Sequence, residues 1–291
     1  MQGLLFQKQR HPVSGSLRQT QRSQPNYPAL DNYFTPQQPE EGHSMSKVAV
    51  VTGGIGGLGT AMCKALIEGG RRAVAVDYNG LKPEAVEKWQ AERKAEGFDI
   101  PVYLADVTDF DSCAEVCKKI EAEVGPVEIL VNNAGITRDS MFHKMSPEQW
   151  DQVIKTNLYS VFNMTKQVYE GMVARGWGRI VNISSVNGLR GQAGQSNYSA
   201  TKSAIYGFNK ALAQECIKKG VTVNSISPGY IGTEMVRAIR EDVLQKIVAT
   251  IPAGRLGEPS EIARTVVFLS ADDAGFITGE DITVNGGIYF H

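Results

Sequence analysis

The chain has no surplus of charge of either sign: 30 lysines and arginines face 31 aspartates and glutamates over 291 residues, a formal net charge of −1. A general nucleic-acid binder carries a basic excess, so that class is disfavoured. No stretch approaches the ~18 consecutive apolar residues that a membrane span needs. Four cysteines are too few for a disulfide framework in a chain this long, which makes a reducing cytosol the expected compartment. His11, His43, His143 and His291 form no ligand spacing, and Cys113 and Cys117 stand four apart rather than as C-x-x-C, so no metal site is expected. What is present is an apolar content of 42%, enough for a sizeable core.

Residues 1–44 differ from the rest. They hold eight of the glutamines and five of the 12 prolines, with no apolar periodicity of 2 or 3.6. Such a segment buries too little apolar surface to offset its ordering entropy, and we expect a disordered N-terminal extension. A targeting peptide competes with that reading, as does a translated upstream stretch or cloning scar with the natural start at Met45. A secretory signal lacks its apolar region here, and Pro12, Pro25 and Pro28 would interrupt a transit helix. Residues 45–291 then form one domain, with no internal repeat.

Within that domain short β-branched runs alternate with longer amphipathic stretches. The strands read Val48–Thr52, Ala73–Asp77, Pro101–Leu104, Glu128–Asn132, Gly178–Ser184, Val221–Ser227 and Asp281–Val284. Helical patterns cover Gly57–Glu68, Lys82–Glu96, Asp109–Glu123, Pro147–Val173, Tyr198–Lys218 and Ser260–Leu269. Several strands are apolar at consecutive positions, as a parallel sheet covered on both faces requires. The expected class is α/β, a single-domain Rossmann-type doubly wound sheet that binds its ligand outside the carboxyl ends of the strands.

The first strand runs into Thr52-Gly53-Gly54-Ile55-Gly56-Gly57-Leu58-Gly59 and then a helix. Glycines let a backbone turn sharply against a pyrophosphate while the helix N-terminus supplies amides. Gly54, Gly56 and Gly59 satisfy G-x-G-x-x-G; Thr52, Gly53, Gly57 and Gly59 satisfy T-G-x-x-x-G-x-G. Any tight βα turn can be glycine-rich, but the position between first strand and first helix makes dinucleotide binding the better reading. Asp77 ends the second strand, where an acid accepts hydrogen bonds from ribose hydroxyls and repels a 2′-phosphate. NAD(H) is therefore expected over NADP(H), with Arg72 and Lys82 nearby tempering the preference.

Tyr198 and Lys202 stand four apart on one helix face. A free tyrosine, with a pKa of about 10, is a poor acid–base group near neutrality. An adjacent ammonium is expected to lower that pKa and let the pair exchange a proton with a substrate oxygen. The pair alone is common on surface helices. Here a strand ending in Ser184-Ser185 brings a hydroxyl to the carboxyl edge of the sheet, where Asn132-Asn133-Ala134-Gly135 also ends.

In this order Thr52–Gly59, Asp106-Val107, Asn132–Gly135, Asn157, Ser185, Tyr198/Lys202, Pro228-Gly229 and Thr233 resemble the short-chain dehydrogenases/reductases over residues 47–287. The resemblance implies that Tyr198 is the acid–base residue, Ser185 orients a carbonyl, Lys202 holds the nicotinamide ribose and tunes Tyr198, and Asn157 positions a water. It also implies cofactor contacts from Gly53, Ile55, Gly56, Gly57, Leu58, Asp77, Asp106, Val107, Asn133, Ala134, Gly135, Pro228, Gly229, Ile231 and Thr233. Within the family the chain resembles the acetoacetyl-CoA reductases that feed polyhydroxyalkanoate synthesis, which would give an (R)-3-hydroxyacyl-CoA. That likeness implies an acyl-CoA thioester bound by Asp139, Gln192, Gln195 and Tyr230 together with Ser185 and Tyr198. It further implies a homotetramer, in which Ile282–Gly287 is an edge strand against another subunit. A 3-oxoacyl-[acyl-carrier-protein] reductase is the alternative, with Arg138, Lys144 and Arg190 as a basic patch. A non-catalytic dinucleotide-sensing module is the alternative from another class. Gly232–Pro252 reads as a helical lid.

Overall fold

The computed structural model describes residues 46–290, and the extension expected over 1–44 lies outside them. Seven parallel strands form one sheet: β1 (Val48–Thr52), β2 (Arg72–Asp77), β3 (Val102–Leu104), β4 (Val127–Asn132), β5 (Gly178–Ile183), β6 (Val221–Pro228) and β7 (Asp281–Val284). Their order is β3-β2-β1-β4-β5-β6-β7. The chain thus winds one way from β1 to β3 and the other way from β4 to β7. The reversal leaves a crevice beyond the carboxyl ends of β1 and β4, where open α/β sheets bind ligands.

Alternation within each strand builds two cores. Val48, Val50, Val74 and Val76 pack with α3 (Phe110–Glu123), α5 (Ser160–Arg175) and α7 (Ser196–Cys216) on one face. Ala49, Val51, Ala73 and Ala75 pack with α1 (Gly57–Glu68), α2 (Pro83–Ala95) and α10 (Pro259–Leu269) on the other. Both sets of side chains leave water, which is why the strands read as continuous apolar runs. The four cysteines are free and buried, and burial raises the Cys63, Cys113 and Cys117 thiols to about 12, leaving them inert. No helix among the described residues is long and apolar enough to cross a membrane.

Two helical expectations need correction. The run expected as one helix over Pro147–Val173 divides into α4 (Pro147–Ile154), a π-turn (Lys155–Tyr159) and α5. Ser146 and Gln149 close a capping box ahead of Pro147, so α4 has a firm start. The π-turn changes the period without changing the apolar pattern, so sequence periodicity cannot reveal it. Gly232–Pro252 is likewise two helices, α8 (Glu234–Arg237) and α9 (Glu241–Ala249), and a short α6 (Val186–Arg190) follows β5.

Candidate active site

The glycine turn is shaped by two close approaches. Gly53 sits at φ +63°, a left-handed conformation that a side chain would strain. A Cβ on Gly59 would press into the Gly53 carbonyl oxygen and lie 2.7 Å from the Gly54 Cα, so the first turn of α1 can seat on the loop only as glycine. Gly54 approaches β2 in the same way, with a Cβ there 2.7 Å from the Ala75 Cα. Gly56 has no such neighbour, its nearest contact being 3.5 Å away. The tight positions come from both sequence templates. Thr52 and Asn133 lock the loop to β4: the Thr52 Oγ1 accepts the Asn133 and Ala134 amides, each at 3.0 Å, and Asn133 Nδ2 donates to the Thr52 and Gly53 carbonyls at 2.9 and 3.2 Å.

Asp77, at the end of β2, holds the loop from its other side. Its Oδ2 accepts the Ile55 amide at 3.1 Å and its Oδ1 the Tyr78 amide at 2.8 Å. Each carboxylate oxygen has about two acceptor positions, so Asp77 retains capacity for further donors. A cavity of about 480 Å³ opens beside it, between Asp77, Asp106, Val107, Ala134, Ile136 and Thr156. Asp106 is fixed by an Asx-turn onto Thr108, at 2.9 Å to its amide and 2.7 Å to its hydroxyl, and Asn163 Nδ2 holds the Val107 carbonyl at 3.0 Å. A dinucleotide fits this donor and acceptor set: amides at a helix N-terminus for phosphates, a carboxylate for a ribose, and a slot for a flat ring.

At the other end of the crevice the π-turn places Asn157, which is buried. Its Oδ1 accepts the Ile136 amide at 2.8 Å and its Nδ2 donates to the Ile136 carbonyl at 2.9 Å. Ser185 caps α6, accepting the Asn187 amide at 3.1 Å, which leaves the hydroxyl proton free to point elsewhere. The Tyr198 hydroxyl is hydrogen-bonded to that serine side chain. Lys202 is buried at 4% exposure, its Nζ donating to the Ile183 carbonyl at 2.7 Å and standing 5.6 Å from the centroid of the Tyr198 ring. It forms no ion pair among the described residues, and burial lowers its ammonium to about 8.

The expected lowering of the Tyr198 pKa is not what the site produces. Burial raises it, the hydrogen bond with Ser185 pulls the other way, and the Asp139 charge raises it further. Desolvation of the phenolate outweighs the Ser185 hydrogen bond. Tyr198 is consequently protonated at neutral pH, the form an acid needs.

The rim is polar and connected. Gln195 Nε2 donates to Asp139 Oδ2 at 2.9 Å, Asn187 Nδ2 donates to Gln195 Oε1 at 2.9 Å, and Arg190 links Asn187 at 3.3 Å to Gln192 at 3.4 Å. Asp139, Gln192 and Gln195 are thus brought together. Tyr230 shares no hydrogen bond with this rim; its carbonyl accepts the Gly257 amide at 2.9 Å, and it borders a separate cavity of about 50 Å³. Pro228 ends β6, Gly229 packs against Asn285, Ile231 is buried, and Thr233 lies 3.4 Å from where a Cβ on Gly57 would stand. The 228–233 segment therefore meets the glycine loop. Sequence reasoning missed Asn187 and Asn197. Asn197 is fully buried and donates to the Arg138 and Gln149 carbonyls at 3.1 and 3.2 Å, fastening the 138–149 loop to the helix that carries Tyr198. Its place one residue before Tyr198 was the available signal. Among the described residues no three His, Cys, Asp or Glu side chains cluster as a metal site requires.

Comparison with known proteins agrees with this geometry. Residues 47–244 match the model of the short chain dehydrogenase family. The chain is 58% identical over 247 residues to an acetoacetyl-CoA reductase of Rhizobium meliloti (strain 1021), covering 84% of this chain and 100% of the relative. It is 56% identical over 245 residues to an acetoacetyl-CoA reductase of Cupriavidus necator, covering 84% and 98%. A 3-oxoacyl-[acyl-carrier-protein] reductase of Vibrio harveyi is 41% identical over 243 residues, covering 84% and 97%.

Proposed function

Because the chain belongs to the short-chain dehydrogenase family, we propose that it is a cytosolic acetoacetyl-CoA reductase that prefers NADH. The observation that carries the reading is the meeting of Ser185, Tyr198 and Lys202 at the crevice where the sheet reverses. The identity to relatives named acetoacetyl-CoA reductase, higher than to the one named for a carrier-protein substrate, favours a CoA thioester. The proposal includes an R hand for the product. The aligned length of 247 residues supports 45–291 as the catalytic domain, with 1–44 outside it.

The nicotinamide cofactor would supply a hydride to the 3-keto carbon of the substrate. The chain's own groups would do the rest. Ser185, its oxygen fixed by the Asn187 amide, offers a proton to the ketone oxygen and orients it. Tyr198, protonated at neutral pH, transfers its proton to that oxygen as charge develops. Lys202 holds the nicotinamide ribose with the donors that Ile183 leaves over. Asn157, its amide fixed by the Ile136 backbone, positions a water for a proton relay, with one further acceptor position on Oδ1 and one further N–H on Nδ2. Asp77 would carry the cofactor preference, since a carboxylate at the end of the second strand accepts from ribose hydroxyls and repels a 2′-phosphate. The rim of Asp139, Gln192 and Gln195 offers donors and acceptors to the amides of a pantetheine arm, and α8 and α9 form the lid.

The reading includes a homotetramer. An exposed aromatic group supports it: Phe110 stacked on Phe162 at 6.1 Å, with Tyr159 on the same helical run. The deciding experiment measures initial rates with acetoacetyl-CoA and with acetoacetyl-carrier protein, each with NADH and NADPH. The highest rate should fall to acetoacetyl-CoA with NADH. A faster rate on the carrier protein would overturn the substrate, a faster rate with NADPH would overturn the cofactor, and no turnover at all would overturn the enzyme.

A further inference from the structure

The next side chain on the catalytic face of α7 is Tyr206, four residues beyond Lys202 and eight beyond Tyr198. Its hydroxyl is a junction. It accepts from Ser184 Oγ at 2.9 Å, and its single proton is shared between Ser227 Oγ at 2.9 Å and the Ser185 carbonyl at 3.1 Å. Ser184 Oγ also reaches the Lys202 carbonyl at 2.9 Å. Ser227 in turn donates to Asp281 Oδ1 at 2.9 Å, and Ser225 donates to the same oxygen at 2.7 Å. One phenol therefore joins the end of β5 to the end of β6 and, through Ser227, to β7.

The backbone shows why a side chain is needed there. The β5–β6 register runs from Gly178↔Val221 to Ile183↔Ile226, and Ser184 adds one more rung by donating to the Ile226 carbonyl at 2.8 Å. Pro228 follows, with no N–H to donate a further rung. The ladder stops one residue short of Ser185, whose hydroxyl must nevertheless be held against Tyr198. Small misplacements of such a group are expensive in rate.

We propose that Tyr206 is a positioning residue for Ser185: its hydroxyl clamps the end of β5 to the end of β6 and so sets where the Ser185 hydroxyl stands relative to Tyr198. The proposal rests on the reductase reading above. Tyr206 touches neither substrate nor cofactor in this role, and it acts wholly through the serine.

That dependence supplies the test. The wild-type enzyme, Tyr206→Phe, Ser185→Ala and the double variant are compared for kcat and KM with acetoacetyl-CoA, for NADH Kd and for Tm. Tyr206→Phe keeps the ring and removes the junction, and should lower kcat by roughly 10- to 100-fold with NADH Kd unchanged. In the Ser185→Ala background the same change should lower kcat less than about twofold, because the group it positions is gone. A merely structural role would lower Tm while leaving kcat of the folded enzyme alone. Ser227→Ala, which removes one anchor of the junction and keeps the tyrosine, should give a smaller loss of kcat of the same kind and serves if Tyr206→Phe does not fold. An unchanged kcat, or an equal loss in both backgrounds, overturns the positioning role alone. A wild-type enzyme without turnover overturns the reductase reading, and the positioning role with it.

Discussion

Lys202 is a charge the fold would be better off without. Its ammonium is buried, meets no carboxylate among the described residues, and is lowered from 10.5 to about 8 by desolvation. A group whose folded pKa lies that far below its unfolded value destabilises the native state by about 3 kcal/mol at pH 7, at 1.36 kcal/mol for each pKa unit. Lys202→Met removes that penalty but also the bond to the Ile183 carbonyl, worth roughly 1.5–3 kcal/mol. The unliganded variant should therefore be as stable as the wild type at pH 7, or more stable by about 1–2 kcal/mol, while losing turnover. Its pH dependence is the sharper quantity. The wild-type penalty is full below pH 8, fades as pH rises, and vanishes only above 10.5, where lysine is neutral in both states. The stability of Lys202→Met relative to wild type should therefore fall by about 2 kcal/mol between pH 7 and pH 9.5. Urea unfolding followed by far-UV circular dichroism, at one protein concentration and without cofactor, measures the difference directly. A difference that stays constant across that range, or grows with pH, would refute a buried and uncompensated ammonium.

Other outcomes follow from the same geometry. Tyr198→Phe keeps the ring and should lower kcat by roughly 10²–10⁴-fold, with NADH Kd from fluorescence titration within about twofold of wild type. Asp77→Asn removes the charge and keeps one acceptor for the Ile55 or Tyr78 amide, so the ratio of NADH- to NADPH-dependent kcat/KM should fall about tenfold; an unchanged ratio would clear Asp77 of any part in discrimination. Gly59→Ala drives a methyl into the Gly53 carbonyl and should cost roughly 1–3 kcal/mol or more, read as a fall in Tm and loss of NADH binding. Gly56→Ala, at φ −67° and with its nearest neighbour 3.5 Å away, should leave stability within about 0.5 kcal/mol.

The central strands β1, β2 and β4 were legible because they are covered on both faces and read as nearly unbroken apolar runs; the edge strands β3 and β7 are only partly buried, yet all seven lie within a residue or so of the expected positions. Tyr198, Lys202, Ser185 and the glycine loop were legible because their chemistry depends on spacing along the chain. What escaped depends on contacts across it. Thr52 and Asn133 bind each other's backbone from positions 81 residues apart. The Tyr198 pKa direction depends on how deeply the ring is buried, which a neighbouring lysine in the sequence does not report. Asn197 looked like a neighbour of the catalytic tyrosine, and its bonds to Arg138 and Gln149 appear only in three dimensions.

The π-turn at Lys155–Tyr159 has the form that a one-residue insertion leaves in a helix. Taking one residue out of that turn would let the run close as an ordinary α-helix, with Val153 before it still buried and Met164 and Val168 after it still facing the core against the sheet. Taking one out of α5 instead would swing every downstream side chain by about 100° and expose that core. Shortening at the turn is therefore an edit the architecture can absorb. The site cannot, because the extra residue is what brings the Asn157 amide round to the Ile136 backbone.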